Sequence, residues 1–152
     1  MNAAIEAVRA DRALLLNICA GLRPADWEAE SGCEGWSVQD VITHLGGVLW
    51  AVADPSRLPD TAALPTEAAQ ETWVQARRGV SPAAVLADYE EASELGLQRL
   101  TDLAALDLEV PLGDLGTYPA FMLPCAYAFD HYTHIRADLF APRGPLAGPP
   151  PP

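Results

Sequence analysis

"GWSVQDVITHL", residues 35–45, decides how this chain folds. The Ser37 side chain can accept from the free N–H of Asp40, and the Asp40 carboxylate suits the positive end of a helix, a close relative of the capping box. Trp36 and Val41 stand where a hydrophobic staple would hold the entry of the chain. Beyond them Val38, Val41, Leu45, Val48 and Val52 make one apolar stripe, which Asp54-Pro55 stops. The spacing therefore predicts a helix from Ser37 to the residue before Asp54. His44 falls on the flank of that stripe, between Val41 and Val48, where a histidine either packs or binds.

Three further stretches carry helical periodicity. Residues 2–22 place Ile5, Val8, Leu15, Cys19 and Leu22 near heptad spacing and end at Gly21 and Arg23-Pro24. Ser81-Pro82 reads as an N-cap followed by proline at the first helical position, with Val85, Tyr89, Ala92, Leu100 and Leu103 as its apolar side. The last helix, over residues 119–140, repeats Phe121, Cys125, Ala128, Tyr132, Ile135 and Leu139 as a core face. Residues 54–64 read as a loop, residues 66–79 as a short helix, and residues 106–118 as irregular or briefly extended. Four long helices with a short extra helix after the second predict an all-α, four-helix-bundle domain over residues 1–141. The tail, residues 142–152, has too little apolar surface to offset the entropy of ordering and is expected to lie unpacked.

Composition narrows the function. A length of 152 residues suits one ordinary domain. No apolar run approaches the roughly 20 residues of a membrane helix, and the N-terminus lacks a signal-peptide pattern, so a cytoplasmic protein that does not enter membranes is expected. The net charge of −12, with nine arginines and no lysine, would repel a phosphate backbone and argues against nucleic acid as a partner. The three cysteines show no CxxC spacing and suggest neither a disulfide framework nor a thiolate zinc site. Cys33, just before a helix, is either an inert thiol or one that the helix end activates.

Chemistry concentrates on the last helix. At about 100° per residue from Phe121, the residues Tyr127, Asp130, His131, His134 and Asp138 fall on an arc from about 180° to 280°, opposite the apolar repeat. A solvated face is one reading of this arc. The other is a binding face, because Asp130 and His134, at i and i+4, leave one side of the helix a turn apart and could reach one metal ion. A third ligand must then come from elsewhere, with His44 on another helix or His131 as a rival. Asp138, a turn beyond His134, is placed to accept from the imidazole N–H that a metal would leave free.

Two stretches, "SGCEGWSVQDVITHLGG" (residues 31–47) and "FDHYTHIRADL" (residues 129–139), resemble the motifs of the mycothiol-dependent maleylpyruvate isomerase N-terminal domain family, a branch of the DinB-like metal-binding four-helix bundles. Together with the helix spacing, the likeness covers nearly all of residues 1–141. It implies an up-down-down-up bundle and a divalent metal, most often zinc, held by His44, Asp130 and His134. It also implies mycothiol as thiol cofactor, a small-molecule thiol and an electrophilic substrate as partners, and a thiol transferase or isomerase reaction. Such families often dimerise, so a homodimer belongs to the same expectation. Hydrolysis by metal-bound water is an alternative, and so is a catalytically silent binding or dimerisation module.

Overall fold

The computed structural model describes residues 2–152. Six helices carry most of the chain: α1 (Ala3–Ala20), α2 (Pro24–Glu28), α3 (Val38–Ala53), α4 (Thr66–Arg77), α5 (Pro82–Ala104) and α6 (Leu123–Thr133). The segment expected to be irregular or briefly extended contains an antiparallel hairpin of β1 (Glu109–Pro111) and β2 (Thr117–Pro119), with Val110 opposite Tyr118. The protein is thus mostly helical with one small sheet. No helix among the described residues is long and apolar enough to cross a membrane.

The helix starts follow their capping chemistry. Ser37 Oγ accepts from Asp40 N at 3.1 Å while Asp40 Oδ2 accepts from Ser37 N at 3.0 Å, so the box before α3 closes in both directions. Ser81 Oγ accepts from Ala84 N at the start of α5, with Pro82 at its first position. Helix α2 was not expected. Pro24 opens it, Asp26 binds back to Arg23, and Trp27 is buried under it.

Helix α3 runs through the middle of the molecule and packs mainly on α5, with α4 against another side. Ile42, Leu45 and Leu49 are fully buried, and Gly47 and Gly96 allow the close approaches. A Cβ at Gly47 would lie 2.6 Å from the Trp73 Nε1 of α4, and one at Gly96 would lie 2.8 Å from Leu49 Cδ2. Helix α1 lies against α6 and α5 and contributes Ile5, Val8, Leu15 and Cys19 to the same core.

Helix α6 departs from the expectation in its rotation. Of the predicted core face only Ile135 and Leu139 are deeply buried, whereas Phe121 is 60% and Tyr132 55% exposed, with Phe129 beside them at 72%. The arc opposite is the inner one, with His131 at 0% and Asp138 at 3% exposure, so the solvated-face reading fails. Two causes are visible. A 3-10 turn over Ala120–Met122 precedes the helix, so Phe121 lies outside it. Many of the polar groups of the arc find partners inside, which lowers the cost of burying them.

The helix does not end at Thr133 but widens into a π-helical turn, His134–Asp138, closed by Leu139 N donating to His134 O at 3.2 Å. The chain then reverses. Gly144 N donates to Phe140 O at 2.7 Å and Leu146 N to Leu139 O at 2.9 Å, so the first residues of the proline-rich tail fold back on the end of α6.

Candidate metal centre

The site joins α3 to α6. The capping box fixes where α3 starts, and that start carries His44, nearly two turns on, into the interior at 6% exposure. From α6, Asp130 and His134 project side by side toward it. His44 Nε2 lies 3.4 Å and His134 Nε2 3.6 Å from Asp130 Oδ1, and one donor atom from each of the three lies within 4.8 Å of the others. The imidazole centroids are 4.7 Å apart, edge to face. The structure thus brings together the three residues that the sequence singled out.

The tautomer of His134 follows from its neighbour. Asp138 Oδ2 stands 2.9 Å from Nδ1, and since a carboxylate only accepts, Nδ1 donates. Nε2 of the neutral ring therefore turns a lone pair toward the Asp130 oxygen. Two acceptors facing one another at 3.6 Å repel unless a proton or a cation stands between them. Asp130 Oδ2 and His44 Nδ1 are also buried and without a hydrogen-bond partner among the described residues. Two imidazole nitrogens and a carboxylate oxygen form a donor set of the kind that zinc takes. Ligand atoms about 2.0–2.1 Å from a tetrahedral ion lie about 3.3–3.4 Å from one another, close to the separations of both imidazole nitrogens from Asp130 Oδ1. These residues fit a divalent cation.

The surroundings set the charge states. Burial acts to raise the Asp130 carboxyl, but its bond to His44 and the nearby imidazoles outweigh burial and hold it below its ordinary value. Burial, followed by the proximity of His44, pushes His134 below the ordinary imidazole range, which favours the neutral, ligating form. The Cys33 thiol, 3.7 Å from His134 Nδ1, is pushed up to about 12, by burial first and then by Asp138. Both influences favour the neutral thiol over the thiolate at Cys33.

His131 does not join the trio. Its ring is fully buried, Nδ1 donates to Tyr127 O at 3.1 Å, and its face tilts toward Tyr89 at 6.2 Å between centroids. Burial holds it, too, below the usual imidazole range. Trp36 was read only as a staple. Its indole lies 5.2 Å from His44 and 6.5 Å from His134, centroid to centroid, while its Nε1 donates to Glu71. The Gly-Trp-Ser motif held the signal for it. No motif pointed to the loop groups near Asp138.

The model of the mycothiol maleylpyruvate isomerase N-terminal domain family matches residues 8–139. Among solved structures, the crystal structure of a histidine-to-alanine mutant of the mycothiol-dependent maleylpyruvate isomerase superposes with a TM-score of 0.69 at 15% identity, covering 86% of this chain and 57% of that one. The likeness is one of fold, and this chain spans little more than half the length of that protein. No curated protein sequence matches the chain. With a family match across nearly the whole folded region and the same fold in a solved relative, the chain belongs to the mycothiol maleylpyruvate isomerase N-terminal domain family.

Proposed function

We propose that this protein holds a divalent cation, zinc by the chemistry of its donors, on His44, Asp130 and His134, and uses it in a thiol-dependent transfer or isomerisation. The carrying observation is the convergence of two imidazole nitrogens and a carboxylate oxygen from α3 and α6, beside which His44 Nδ1 and Asp130 Oδ2 stay buried without a hydrogen-bond partner among the described residues. The four long helices α1, α3, α5 and α6 would form the DinB-like bundle that carries such a site. A cation held by these residues would supply Lewis acidity, which favours the anionic form of a thiol or water near neutral pH.

The chain's own part is positioning. Asp138 keeps the His134 Nε2 lone pair facing inward, and Asp130 brings the negative charge that a cation needs. Trp36 walls one side of both imidazoles and limits water there. The irregular segments meet over α3 and α4. Leu58, Pro59, Ala62 and Leu64 from one and Gly113 from the other line a mainly apolar cavity of about 240 Å³ with Trp73 and Ala51. Trp73 Nε1 donates to Thr43 O, which fixes that wall of the cavity to α3 one residue before His44.

The test is metal content by plasma mass spectrometry on untagged protein, beside His44→Ala. Near one equivalent of zinc is expected in the parent, with affinity lowered at least tenfold in the variant. Full stoichiometric metal in His44→Ala would remove the proposed ligand set. If metal is present, turnover that needs no added thiol points to hydrolysis, and turnover that rises with mycothiol supports the thiol reaction.

A further inference from the structure

Asp138, behind His134, is held at three points: two side chains meet its carboxylate and a backbone N–H meets its carbonyl. Asp138 is 3% exposed. Its Oδ2 meets His134 Nδ1 at 2.9 Å, and its Oδ1 meets Arg143 Nη2 at 3.1 Å. The same Nη2 donates to Gly32 O at 2.9 Å, and Gly32 N donates to the backbone oxygen of Asp138 at 2.8 Å. A Cβ on Gly32 would lie 2.8 Å from Asp138 Oδ1 and 3.0 Å from Arg143 Cβ, so only glycine lets the three groups close on one another. Arg143 reaches this place because the chain reverses after α6. Gly144 sits so close to the preceding turn that a Cβ would meet Leu139 O at 2.5 Å. A carboxylate this deeply buried needs a counter-charge as well as donors, and Arg143 supplies it from the segment whose composition alone places it outside the domain.

We infer that Arg143 is a positioning residue for the metal centre: acting with Gly32, it fixes the Asp138 carboxylate, which in turn fixes the ring plane and tautomer of His134. The segment after Ala141 then belongs to the site. This rests on the proposed metal reading, since it assigns the clamp a task only if His134 is a ligand. Arg143 touches neither the three donors nor the place of the cation, and its effect is expected to be that of a supporting partner, about tenfold in metal affinity.

The experiment titrates cobalt(II) and zinc(II) into the full chain, made metal-free, for the parent, Arg143→Met and Arg143→Lys. It follows affinity by chelator competition and geometry by the cobalt d–d absorption, with the thermal midpoint of each metal-free protein beside them. The expected result is an affinity about tenfold weaker and an altered cobalt spectrum in Arg143→Met, with a metal-free midpoint that falls only modestly, since Arg143 is itself largely exposed where it meets Asp138. Arg143→Lys should recover most of the loss, because a single nitrogen makes both contacts in the parent. If Arg143→Met binds as the parent does with the same spectrum, the positioning role is overturned and the metal reading stands. If its weaker binding comes with an equally lowered metal-free midpoint and no rescue by lysine, Arg143 is a structural residue and the inference fails. If the parent itself binds neither ion, it is the metal reading that falls.

Discussion

Helices α3 and α6 both display an apolar stripe and a flanking polar side, yet they are turned in opposite senses. In α3 the apolar side faces the core, and His44 enters the interior as one polar guest among Ile42, Leu45 and Leu49. In α6 the heavier aromatic side, with Phe129 and Tyr132, faces out, and Tyr127, Asp130, His131, His134 and Asp138 face the interior wholly or in part. The difference lies in what each face can pair with. A lone histidine on α3 needs its surroundings to accommodate it. The arc of α6 brings its own partners, His134 with Asp138 and His131 with the Tyr127 carbonyl, so much of its desolvation is offset within one helix. Hydrophobic periodicity reveals two faces but not which one is inside when the polar one satisfies part of its own hydrogen bonding.

Substitutions on each side can break this contrast. The largest effect is expected on α3. Gly47→Ala drives a methyl group into the Trp73 indole and should cost about 1–3 kcal/mol in urea unfolding, as overpacking does. A neutral result would show that α4 is loosely seated. Next is the acid response of the inward arc. Burial lowers His131 and His134 in the folded state, so between their folded values and about 6.5 the unfolded chain binds more protons, and stability falls as the pH drops through that window. Each such group contributes at most about 1.4 kcal/mol per pH unit. In chelator, His131→Phe should therefore flatten the decline that begins just below about pH 6.5. An unchanged slope would mean that His131 is not held neutral by burial. The smallest effect belongs to the outer face. Phe129→Gln should move stability by less than about 0.5 kcal/mol and leave metal content alone. A large loss would show that this face is covered in solution.

How much of this was legible follows from where each signal lies. Helix α3 could be bounded closely because Ser37, Asp40 and Pro55 are local instructions, each acting within a turn of its own position. The proposed ligand trio was legible in part because histidine is scarce, with three in the chain, but His131 stayed a rival on spacing alone and only the likeness of the two motifs to the family chose His44, Asp130 and His134. The rotation of α6 was not legible, since Phe121, Cys125 and Tyr132 outweigh the arc on any hydropathy scale. Nor was the π-helical turn, which has no composition signal. Arg143 and Gly32 could not be found because they meet only when two loops, 111 positions apart, close on Asp138.

His44 and Asp130 are 86 positions apart, on helices that meet only once both α3 and α6 are in place. No partial fold can hold both, so an ion at this place would bind the finished structure and not the open chain. Its binding energy would add to stability in proportion to RT ln(1 + [M]/Kd), through a tether between the early and late parts of the sequence. The supply of metal would then set how often the chain opens to proteases, and protein lifetime in the cell would report on metal status even where no substrate is turned over.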